Sequence, residues 1–404
     1  MLDIKFIREN LEKVKEGAEN KGYEVDFEKL IKVDDERKNL LAEIEGLRAK
    51  RNQLNKDEIE KGREIKEKLK ELEPRLVEIE KEFLELMYKV PNLPSEDVPI
   101  GKDEKENKII KKEGEIKLQK GKDHLEIGKK LDLIDTEAAA KASGSRFAYL
   151  KNQAVQLEFA LVNMALDLLI KEGFTPIIPP QMLKTEIARA TGYYEGGEDD
   201  SFHIKDEDLV MIGTSEHSIL AYHKDSIFEE KDLPKRYVGF STCFRREAGS
   251  YGKDVRGILR VHQFDKVEMV SFVKPEESEK EHQYLLSLEE KIVKELGLPY
   301  QVVQMCTGDL GRPAAKKYDI ECWMPGEGNY RETHSVSNCT DFQARRLNIK
   351  YSEQDGKKYV HILNGTAVAI GRMIIAILEN YQGDDGSIKI PEALQKYLDF
   401  KEIK

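Results

Sequence analysis

Two stretches in the first quarter of the chain carry apolar residues at alternating steps of three and four. This spacing is typical of a coiled-coil helix, provided that Arg37 and Arg51 occupy two positions of the first stretch. The polar segment 55–62 separates the stretches, so two helices are predicted to fold back on each other. The apolar positions are Leu30, Val33, Leu40, Ile44, Leu47 and Leu54, followed by Ile65, Leu69, Leu72, Leu76, Ile79 and Phe83.

Neither helix carries enough apolar residues to enter a globular core. A helix of about 30 residues is about 45 Å long, so we expect an antiparallel coiled-coil arm over about 27–90. Pro91 and Pro94 end the helical pattern, and the segment after Lys102 is too charged to form a core. The joint is placed near 91–122, between an arm domain at 1–105 and a second domain at 106–404.

Beyond His124 the pattern changes to short segments rich in aromatic and β-branched residues, which predict strands. Segments 156–173 and 279–297 have helical period, and each ends in a glycine suited to a helix C-terminus. Because several strands follow one another without intervening helices, an antiparallel sheet is favoured over a doubly wound parallel one. The predicted fold class is α+β: a helical arm, then a mainly antiparallel sheet flanked by helices. The predicted strands are 236–244, 266–273, 300–308 and 318–324.

Composition narrows the class of protein. A length of 404 residues favours two domains, and the net charge of −11 argues against indiscriminate nucleic-acid binding. The sequence shows neither a secretory signal nor roughly 18 uninterrupted apolar residues, so we predict a soluble cytoplasmic protein without membrane contact. The cysteines lack CxxC spacing, and neither a disulfide framework nor a zinc site is expected. They are Cys243, Cys306, Cys322 and Cys339.

A basic cluster lies near the predicted tip of the arm. The segment RAKRNQLNK, residues 48–56, contains four cations and no acid, which gives a local charge of +4 inside an acidic protein. Such a cluster can meet phosphates. A charge run also keeps a coiled coil solvated, and the segment alone leaves both interpretations open. The cations are Arg48, Lys50, Arg51 and Lys56.

A second basic cluster joins two predicted strands in segment 244–268. An arginine on a rigid strand can bind a phosphate or carboxylate through two hydrogen bonds, and loop cations can hold outer phosphates. Phe264 can stack on a purine, and Glu247 can accept a hydrogen bond from an adenine amino group. We favour a nucleotide clamp over the alternative, an exposed basic hairpin. The cations are Arg245, Arg246, Lys253, Arg256 and Arg260.

This loop and NGTAVAIGRMIIAILENYQ resemble motifs 2 and 3 of class II aminoacyl-tRNA synthetases, and KEGFTPIIPP resembles the end of motif 1. The segments HQFDKVE, CTGDLG, YRETHSVSNCTDFQARR and LNGTAVAIGR narrow the resemblance to the seryl-tRNA synthetase family, of the bacterial and eukaryotic-like type, over essentially the whole chain. The resemblance implies a class II catalytic domain that makes seryl-adenylate from L-serine and ATP. It also implies transfer of the seryl group to tRNA(Ser), with tRNA(Sec) as a further candidate, and a two-fold homodimer.

The resemblance also implies roles for individual residues. Arg245 and Arg372 are implied as catalytic, and Glu332 and Ser335 as ligands of Mg²⁺ bound with ATP; no zinc is expected. The implied serine-binding residues are Thr214, Ser215, Glu216, Arg245, Glu268, Asn364 and Thr366. The implied ATP-binding residues are Arg245, Arg246, Glu247, Arg256, Val261, Phe264, Glu332, Thr333, His334, Ser335 and Arg372. The implied tRNA-binding residues are Arg48, Lys50, Arg51 and Lys56.

Three positions depart from the family pattern: TSE at 214–216 where TAE is frequent, His334 where serine is usual, and Thr366-Ala367 where Ser-Gly is common. None removes a charged catalytic group. His334 either adds a pH-dependent contact to ATP or points away from it, and we favour the second. Glu332 has an alternative as a simple ion-pair partner of Arg331 or Arg345.

Two other functions stay open at this stage. One is a ligase that loads an amino acid onto a carrier protein, but such relatives lack the arm and use a zinc-containing pocket. The other is a catalytically silent nucleotide-binding or coiled-coil protein. The intact Arg245, Glu332 and Arg372 argue against such decay.

Overall fold

The structure is a computed structural model that describes residues 1–55, 57–193, 200–248 and 256–404. Lys56 and Lys253, two of the predicted cations, lie outside these residues. The chain divides into two compact units, Met1–Leu93 and Pro94–Lys404.

The first unit is helical. Its core is the predicted pair of apolar series, with Leu30, Ile44 and Leu69 almost fully buried between the two long helices. The predicted antiparallel helical arm is therefore confirmed. Pro74 lies inside the second long helix. The helices are α1 Ile4–Glu9, α2 Leu11–Asn20, α3 Phe27–Gln53 and α4 Ile59–Lys89.

Arg37 packs into the helix pair, as its place in the apolar series predicts. Its guanidinium carbon lies 4.5 Å from the centre of the Phe83 ring, and its Nη2 lies 2.9 Å from Asp34 Oδ1. Asp34 is fully buried and also binds Arg8 at 2.7 Å and Lys38 at 2.8 Å. A buried carboxylate requires such partners, because leaving it unpaired would cost several kcal/mol, about 3–5. Arg51 differs: it is exposed near the end of α3.

The second unit is built on an eight-stranded sheet. In spatial order its strands are β1, β10, β11, β12, β15, β9, β8 and β4, and all neighbours are antiparallel except β4 and β8. The strands are β1 Lys108–Glu113, β2 Ile134–Asp135, β3 Tyr149–Leu150, β4 Thr175–Ile177, β5 Met182–Lys184, β6 Leu209–Met211, β7 Ile227–Glu229, β8 Lys235–Phe244, β9 Gln263–Val273, β10 Tyr300–Gln304, β11 Lys316–Met324, β12 Asn329–Asn338, β13 Lys350–Glu353, β14 Gly356–Tyr359, β15 His361–Ala369, β16 Ile388–Lys389 and β17 Glu402–Ile403.

The four predicted strands correspond to β8, β9, β10 and β11, and the predicted antiparallel sheet is confirmed. The charged segment 102–122, expected to form only a joint, instead supplies β1. This strand pairs with β10 at the sheet edge, and most of its side chains are exposed. An edge strand needs backbone hydrogen bonds rather than apolar side chains, and lysines are common there.

Helices cover the sheet and complete the core. Both predicted helices are present, and the glycines after them, Gly173 and Gly297, have φ values of 87° and 65°, which favour glycine. Among the described helices, α7 alone is long and apolar enough to span a membrane, and half of its apolar window is buried in this unit. The helices are α5 His124–Lys130, α6 Thr136–Ser143, α7 Gln153–Lys171, α8 Thr185–Thr191, α9 Ser215–Tyr222, α10 Ser278–Glu295, α11 Phe342–Leu347 and α12 Ile370–Asn380.

Candidate active site

The central strands β12, β15, β9 and β8 bring predicted serine-binding and ATP-binding residues together. Thr366 pairs with Glu268 across β15 and β9. The Thr366 hydroxyl donates to Glu268 Oε2 at 3.3 Å, and it lies 3.5 Å from the hydroxyl of Ser335. Three polar side chains from three strands thus form one connected row on the sheet.

The residues Thr214, Ser215 and Glu216 form the start of α9. The Thr214 hydroxyl accepts a hydrogen bond from the Glu216 backbone at 3.3 Å and so caps the helix. Ser215 is fully buried, and its hydroxyl donates to the Gly239 carbonyl on β8 at 3.3 Å. A Cβ at Gly239 would lie 2.6 Å from the Ser215 hydroxyl oxygen, so only glycine permits this packing.

Glu216 is a buried carboxylate held by two side chains that the sequence did not single out. Tyr193 donates to its Oε2 at 3.2 Å, and Gln343 donates to its Oε1 at 2.7 Å. Burial, together with the nearby charge of Glu268, raises the pKa of Glu216 to about 7. Asn364 is also buried, and its amide lies 3.8 Å from the sulfur of Cys339.

Next to Thr366 a cleft opens over the sheet, with an empty volume of about 560 Å³ that includes open solvent. Its lining combines acids, bases and an aromatic ring, as a nucleotide site requires. Many of the implied ATP-binding residues line it. The lining residues are Arg245, Glu247, Ile258, Leu259, Arg260, Val261, Phe264, Lys266, Glu332, Thr333, Ser335, Thr366, Ala369, Gly371 and Arg372.

Arg245 is fixed at one side of this cleft. Its Nε and Nη2 donate to the Gly213 carbonyl at 3.2 and 3.1 Å, and its guanidinium carbon lies 5.4 Å from the centre of the Phe264 ring. Two hydrogen bonds and a ring contact hold the guanidinium in a defined orientation. A preorganised cation of this kind can receive a phosphate or a carboxylate without rearrangement.

Arg372, from the first turn of α12, lies with Glu332 in the cleft. Its Nη1 is 3.1 Å from Glu332 Oε2 and donates to the Glu332 carbonyl at 3.0 Å, while its Nε donates to the Leu259 carbonyl at 3.4 Å. Burial raises the pKa of Glu332, but the charges of nearby cations and the hydrogen bond from Arg372 together outweigh it and hold the pKa well below its usual range. The cations are Arg372, Lys317 and Arg245. Glu332 is therefore ionised at neutral pH. Its partner is Arg372, and not the Arg331 or Arg345 of the alternative interpretation.

A β-bulge lets Glu332 and Ser335 reach the same cleft. Residues three apart in a regular strand face opposite sides of the sheet. Here Glu332 pairs with Glu321 of β11, whereas His334 pairs with Ile320, so β12 contains one extra residue, Thr333. Relative to β11, Glu332 and Ser335 are only two positions apart, and both line the cleft.

The oxygen atoms of Glu332 and Ser335 are of the type that Mg²⁺ prefers. Among the described residues no group of three or more His, Cys, Asp or Glu side chains could hold a metal ion. Two protein oxygens therefore fit a cation that takes its remaining ligands from phosphate and water, and they do not form a complete protein site.

Among the described residues, three of the implied ATP-binding residues do not line the cleft. His334 is buried, and burial lowers the pKa of its imidazole to about 3, so it is neutral. Its Nδ1 lies 2.8 Å from the Thr333 hydroxyl. Arg246 donates its backbone N–H to the Asp200 carbonyl at 2.8 Å. Arg256 is exposed.

The described cations of the arm's basic cluster, Arg48, Lys50 and Arg51, lie in the last turns of α3. Lys50 and Arg51 are exposed, whereas Arg48 Nη2 lies 2.8 Å from Glu73 Oε1 of α4. The fold therefore brings an acid next to a segment that has none in its own sequence. An exposed ion pair of this kind is weak, roughly 0–1 kcal/mol, and leaves Arg48 able to exchange partners.

The sequence analysis missed Lys266, Tyr193 and Gln343. Lys266 lines the cleft, and its Nζ lies 2.6 Å from Glu268 Oε2. It stands two residues from Glu268 on β9, and this spacing was available in the sequence. Tyr193 and Gln343 reach Glu216 only through the tertiary fold, since they are 23 and 127 residues away from it.

Comparison with known proteins shows which class of enzyme has this architecture. Residues 201–381 match the model of the tRNA synthetase class II core domain (G, H, P, S and T). A prolyl-tRNA synthetase from Giardia lamblia shares the fold, with a TM-score of 0.59 at 16% identity over 69% of this chain and 57% of that one. Fold and site define a class II aminoacyl-tRNA synthetase, an ATP-dependent ligase.

Closer relatives cover the whole chain. Residues 1–94 match the seryl-tRNA synthetase N-terminal domain. The serine–tRNA ligase of Dictyoglomus turgidum is 47% identical over 100% of this chain and 99% of that protein. The crystal structure of seryl-tRNA synthetase from Pyrococcus horikoshii complexed with ATP has a TM-score of 0.91 at 43% identity, covering 100% of this chain and 99% of that one. The chain belongs to the seryl-tRNA synthetase family.

Proposed function

We propose that this chain activates L-serine with ATP, releasing pyrophosphate, and transfers the seryl group from seryl-adenylate to tRNA(Ser). Thr366 provides the observation that supports this most directly. Its hydroxyl bonds to Glu268 of the amino-acid pocket, and the same residue lines the nucleotide cleft. A substrate held at Glu268 therefore lies next to a nucleotide in the cleft.

Serine recognition rests on polar groups from three elements: Thr214 and Glu216 at the start of α9, Glu268 on β9, and Asn364 with Thr366 on β15. Glu216 and Glu268 supply negative charge for the serine amino group and acceptors for its hydroxyl. A pocket that hydrogen-bonds the hydroxyl rejects alanine, because its own buried polar groups would be left unpaired. Ser215 contributes by fixing the start of α9 against β8.

ATP binding rests on the cleft. Phe264 stacks on adenine and Glu247 accepts from its amino group. Arg245 holds the α-phosphate and the serine carboxylate, and Arg372 holds the γ-phosphate. Arg246, Arg256, Val261, Thr333 and His334 complete the proposed ATP-binding set, with His334 acting through Thr333.

The first step joins a serine carboxylate oxygen to the α-phosphorus and breaks the bond from that phosphorus to the pyrophosphate oxygen. Arg245 orients the two reacting groups, and it also stabilises the charge that develops on the α-phosphate oxygens. Glu332 and Ser335 would hold Mg²⁺ on ATP, which when bound neutralises phosphate charge. In the second step a hydroxyl of the terminal tRNA ribose attacks the seryl carbonyl carbon, and AMP leaves.

The arm is the proposed tRNA-binding element, and its proposed contacts are Arg48, Lys50, Arg51 and Lys56. Its exposed cations can replace the counterions of tRNA phosphates. tRNA(Ser) is the proposed partner, and tRNA(Sec) is the second transcript to test. We place the enzyme in the cytoplasm, where tRNA charging supplies protein synthesis.

A homodimer is supported by apolar residues left exposed around motif 1. Val155, Phe159 and Ile170 on α7 are exposed, and so is Ile178 after β4, with 78% of its surface accessible. Exposed apolar residues on this scale mark interaction surfaces. A two-fold contact of this face with a second copy would bury them.

Serine-dependent exchange of pyrophosphate into ATP tests the first step, and aminoacylation of tRNA(Ser) transcripts tests the second. Wild-type protein is expected to perform both with serine and neither with alanine. Exchange that does not depend on serine would refute the proposed substrate. Exchange without charging of any serine tRNA would restrict the enzyme to adenylate formation.

A further inference from the structure

Lys266 is a buried lysine that lines the cleft and contacts Glu268 of the proposed serine pocket. It stands two residues before Glu268 on β9, so both side chains face the same side of the sheet. Its Nζ lies 2.6 Å from Glu268 Oε2, and the two side chains are only 8% and 3% exposed. Lysine is rarely buried without a specific partner, so this pair requires a reason.

The contacts of Glu268 are made by one oxygen. Oε2 accepts a hydrogen bond from Thr366 at 3.3 Å and forms an ion pair with Lys266 at 2.6 Å. Oε1 takes part in neither contact. Two contacts on one oxygen restrict the carboxylate and leave Oε1 able to accept a hydrogen bond from a ligand.

A second buried carboxylate, Glu216, is close enough to interact with this pair. When ionised, Glu216, Glu268 and Lys266 together carry a net charge of −1. Without Lys266 the repulsion between the two carboxylates would be uncompensated, which disfavours the state in which both are ionised. The net charge of −1 matches one ammonium group, which is the charge of a free amino acid's amino end.

We propose that Lys266 is a positioning residue for serine: its ammonium fixes Glu268 through Oε2, leaves Oε1 for the serine hydroxyl, and lets Glu216 bind the serine amino group. This inference rests on the proposed function and deepens it. Lys266 acts through the two carboxylates, and the proposal assigns it no contact with the reacting atoms.

The electrostatics around Glu216 agree with this geometry. Burial and the charge of Glu268 raise the pKa of Glu216, whereas the hydrogen bond from Gln343 and the charge of Lys266 lower it, and the net value is about 7. Removing Lys266 therefore moves this pKa upward. The titratable or charged groups around the cluster are Tyr193 after α8, His217 on α9, Cys243 and Arg245 at the end of β8, Glu289 on α10 and Cys339 after β12.

The test compares two variants with wild type in serine-dependent pyrophosphate exchange. Lys266→Met removes both the charge and the N–H donors, whereas Lys266→Gln removes the charge and keeps a donor. Because breaking a buried pair is costly, we expect serine KM to rise at least about tenfold in both variants, with ATP KM within about threefold of wild type. Lys316→Met is the matched control, since Lys316 is a buried, ion-paired lysine of the same sheet outside the pocket. It should keep the wild-type serine KM.

The pH profile separates positioning from general damage. Glu216 must be ionised to bind an ammonium, so kcat/KM for serine rises with pH through its pKa. In Lys266→Gln this rise should shift to higher pH, while the profile of Lys316→Met should not move. A serine KM within threefold of wild type in Lys266→Gln overturns the proposal, as do equal losses for serine and ATP or an unshifted profile. Absence of serine-dependent exchange in wild type would instead reject the proposed function itself.

Discussion

The Arg372 guanidinium contacts both the side chain and the backbone carbonyl of Glu332, at 3.1 and 3.0 Å. This double contact joins the first turn of α12 to β12 at the cleft. It sets the proposed phosphate-binding cation beside the proposed metal-binding carboxylate. The charge of Arg372 lowers the pKa of Glu332, which is therefore ionised at neutral pH.

Replacing Arg372 with alanine should lower serine-dependent pyrophosphate exchange at least about 100-fold, because phosphate charge loses a preorganised partner. Circular dichroism should show an unchanged fold. Arg345→Ala is the matched control, since Arg345 is similarly exposed and ion-paired with Asp341 but lies on α11, outside the lining of the cleft. Exchange within a few-fold of wild type in Arg372→Ala would contradict the proposed role.

Replacing Glu268 with alanine should raise serine KM more than ATP KM. The carboxylate accepts a hydrogen bond from Thr366 and pairs with Lys266 in the proposed serine pocket, and it is absent from the lining of the proposed nucleotide cleft. Steady-state exchange with each substrate varied in turn measures both constants. Equal increases for the two substrates would indicate general structural damage instead.

Replacing Glu158 with glutamine should stabilise the protein at alkaline pH. Burial and the neighbouring Asp265 together raise the pKa of Glu158 from 4.5 to about 8. The folded protein therefore binds this proton more tightly than the unfolded chain, and stability is lost as pH rises from about 4.5 towards 8. Glutamine does not ionise.

The Tm difference between Glu158→Gln and wild type should thus grow from pH 5 to pH 8 in thermal melts. Asp167→Asn, on an exposed face of the same helix, controls for a change of net charge. A Tm difference that does not vary with pH would show that Glu158 titrates as an ordinary surface carboxylate.

Deleting residues 36–82 and joining the ends with a short glycine linker should spare serine-dependent exchange, because the proposed serine and ATP sites lie in the second unit. Transfer of serine to tRNA should collapse. Neutralising Arg48, Lys50, Arg51 and Lys56 should weaken tRNA binding and flatten its salt dependence, since fewer counterions are released.

The matched control for the tip is the joint neutralisation of four exposed cations along α4, Lys68, Lys70, Arg75 and Lys81. This variant loses the same charge, but from the shaft of the arm, and should weaken tRNA binding less. Near-normal aminoacylation by the deletion variant would show that the basic tip only keeps the coiled coil solvated.

The sequence predicted those features that repeat along the chain. The steps of three and four gave both arm helices, and the apolar strands β8 to β11 stood out because their side chains fill a core. The edge strand β1 did not, since four of its six residues are charged and the strand is held by backbone pairing. Periodicity of side chains carries no information about such pairing.

In the candidate site too, residues within local motifs were predicted, and residues that only the tertiary fold brings together were not. Arg245, Glu268 and Arg372 lie in recognisable motifs, whereas Gln343 reaches Glu216 across 127 residues. Lys266 was overlooked because lysine side chains are mostly exposed to solvent. Only the fold shows that its ammonium turns inward. The exposed state of Arg51 likewise depends on its place near the end of α3, which heptad spacing does not define.

Because of the bulge at Thr333, the number of residues in β11 and β12 decides whether Glu332 and Ser335 face the same side of the sheet. Inserting one residue into β11 opposite Thr333 would even out the two strands and turn Glu332 and Ser335 to opposite faces, although neither had been altered. Deleting Thr333 would keep them on one face, now at a regular spacing of two. Substitutions near this point leave the direction of the two side chains unchanged, whereas an insertion in the neighbouring strand reverses one of them. The number of residues in each strand is therefore a requirement of the site.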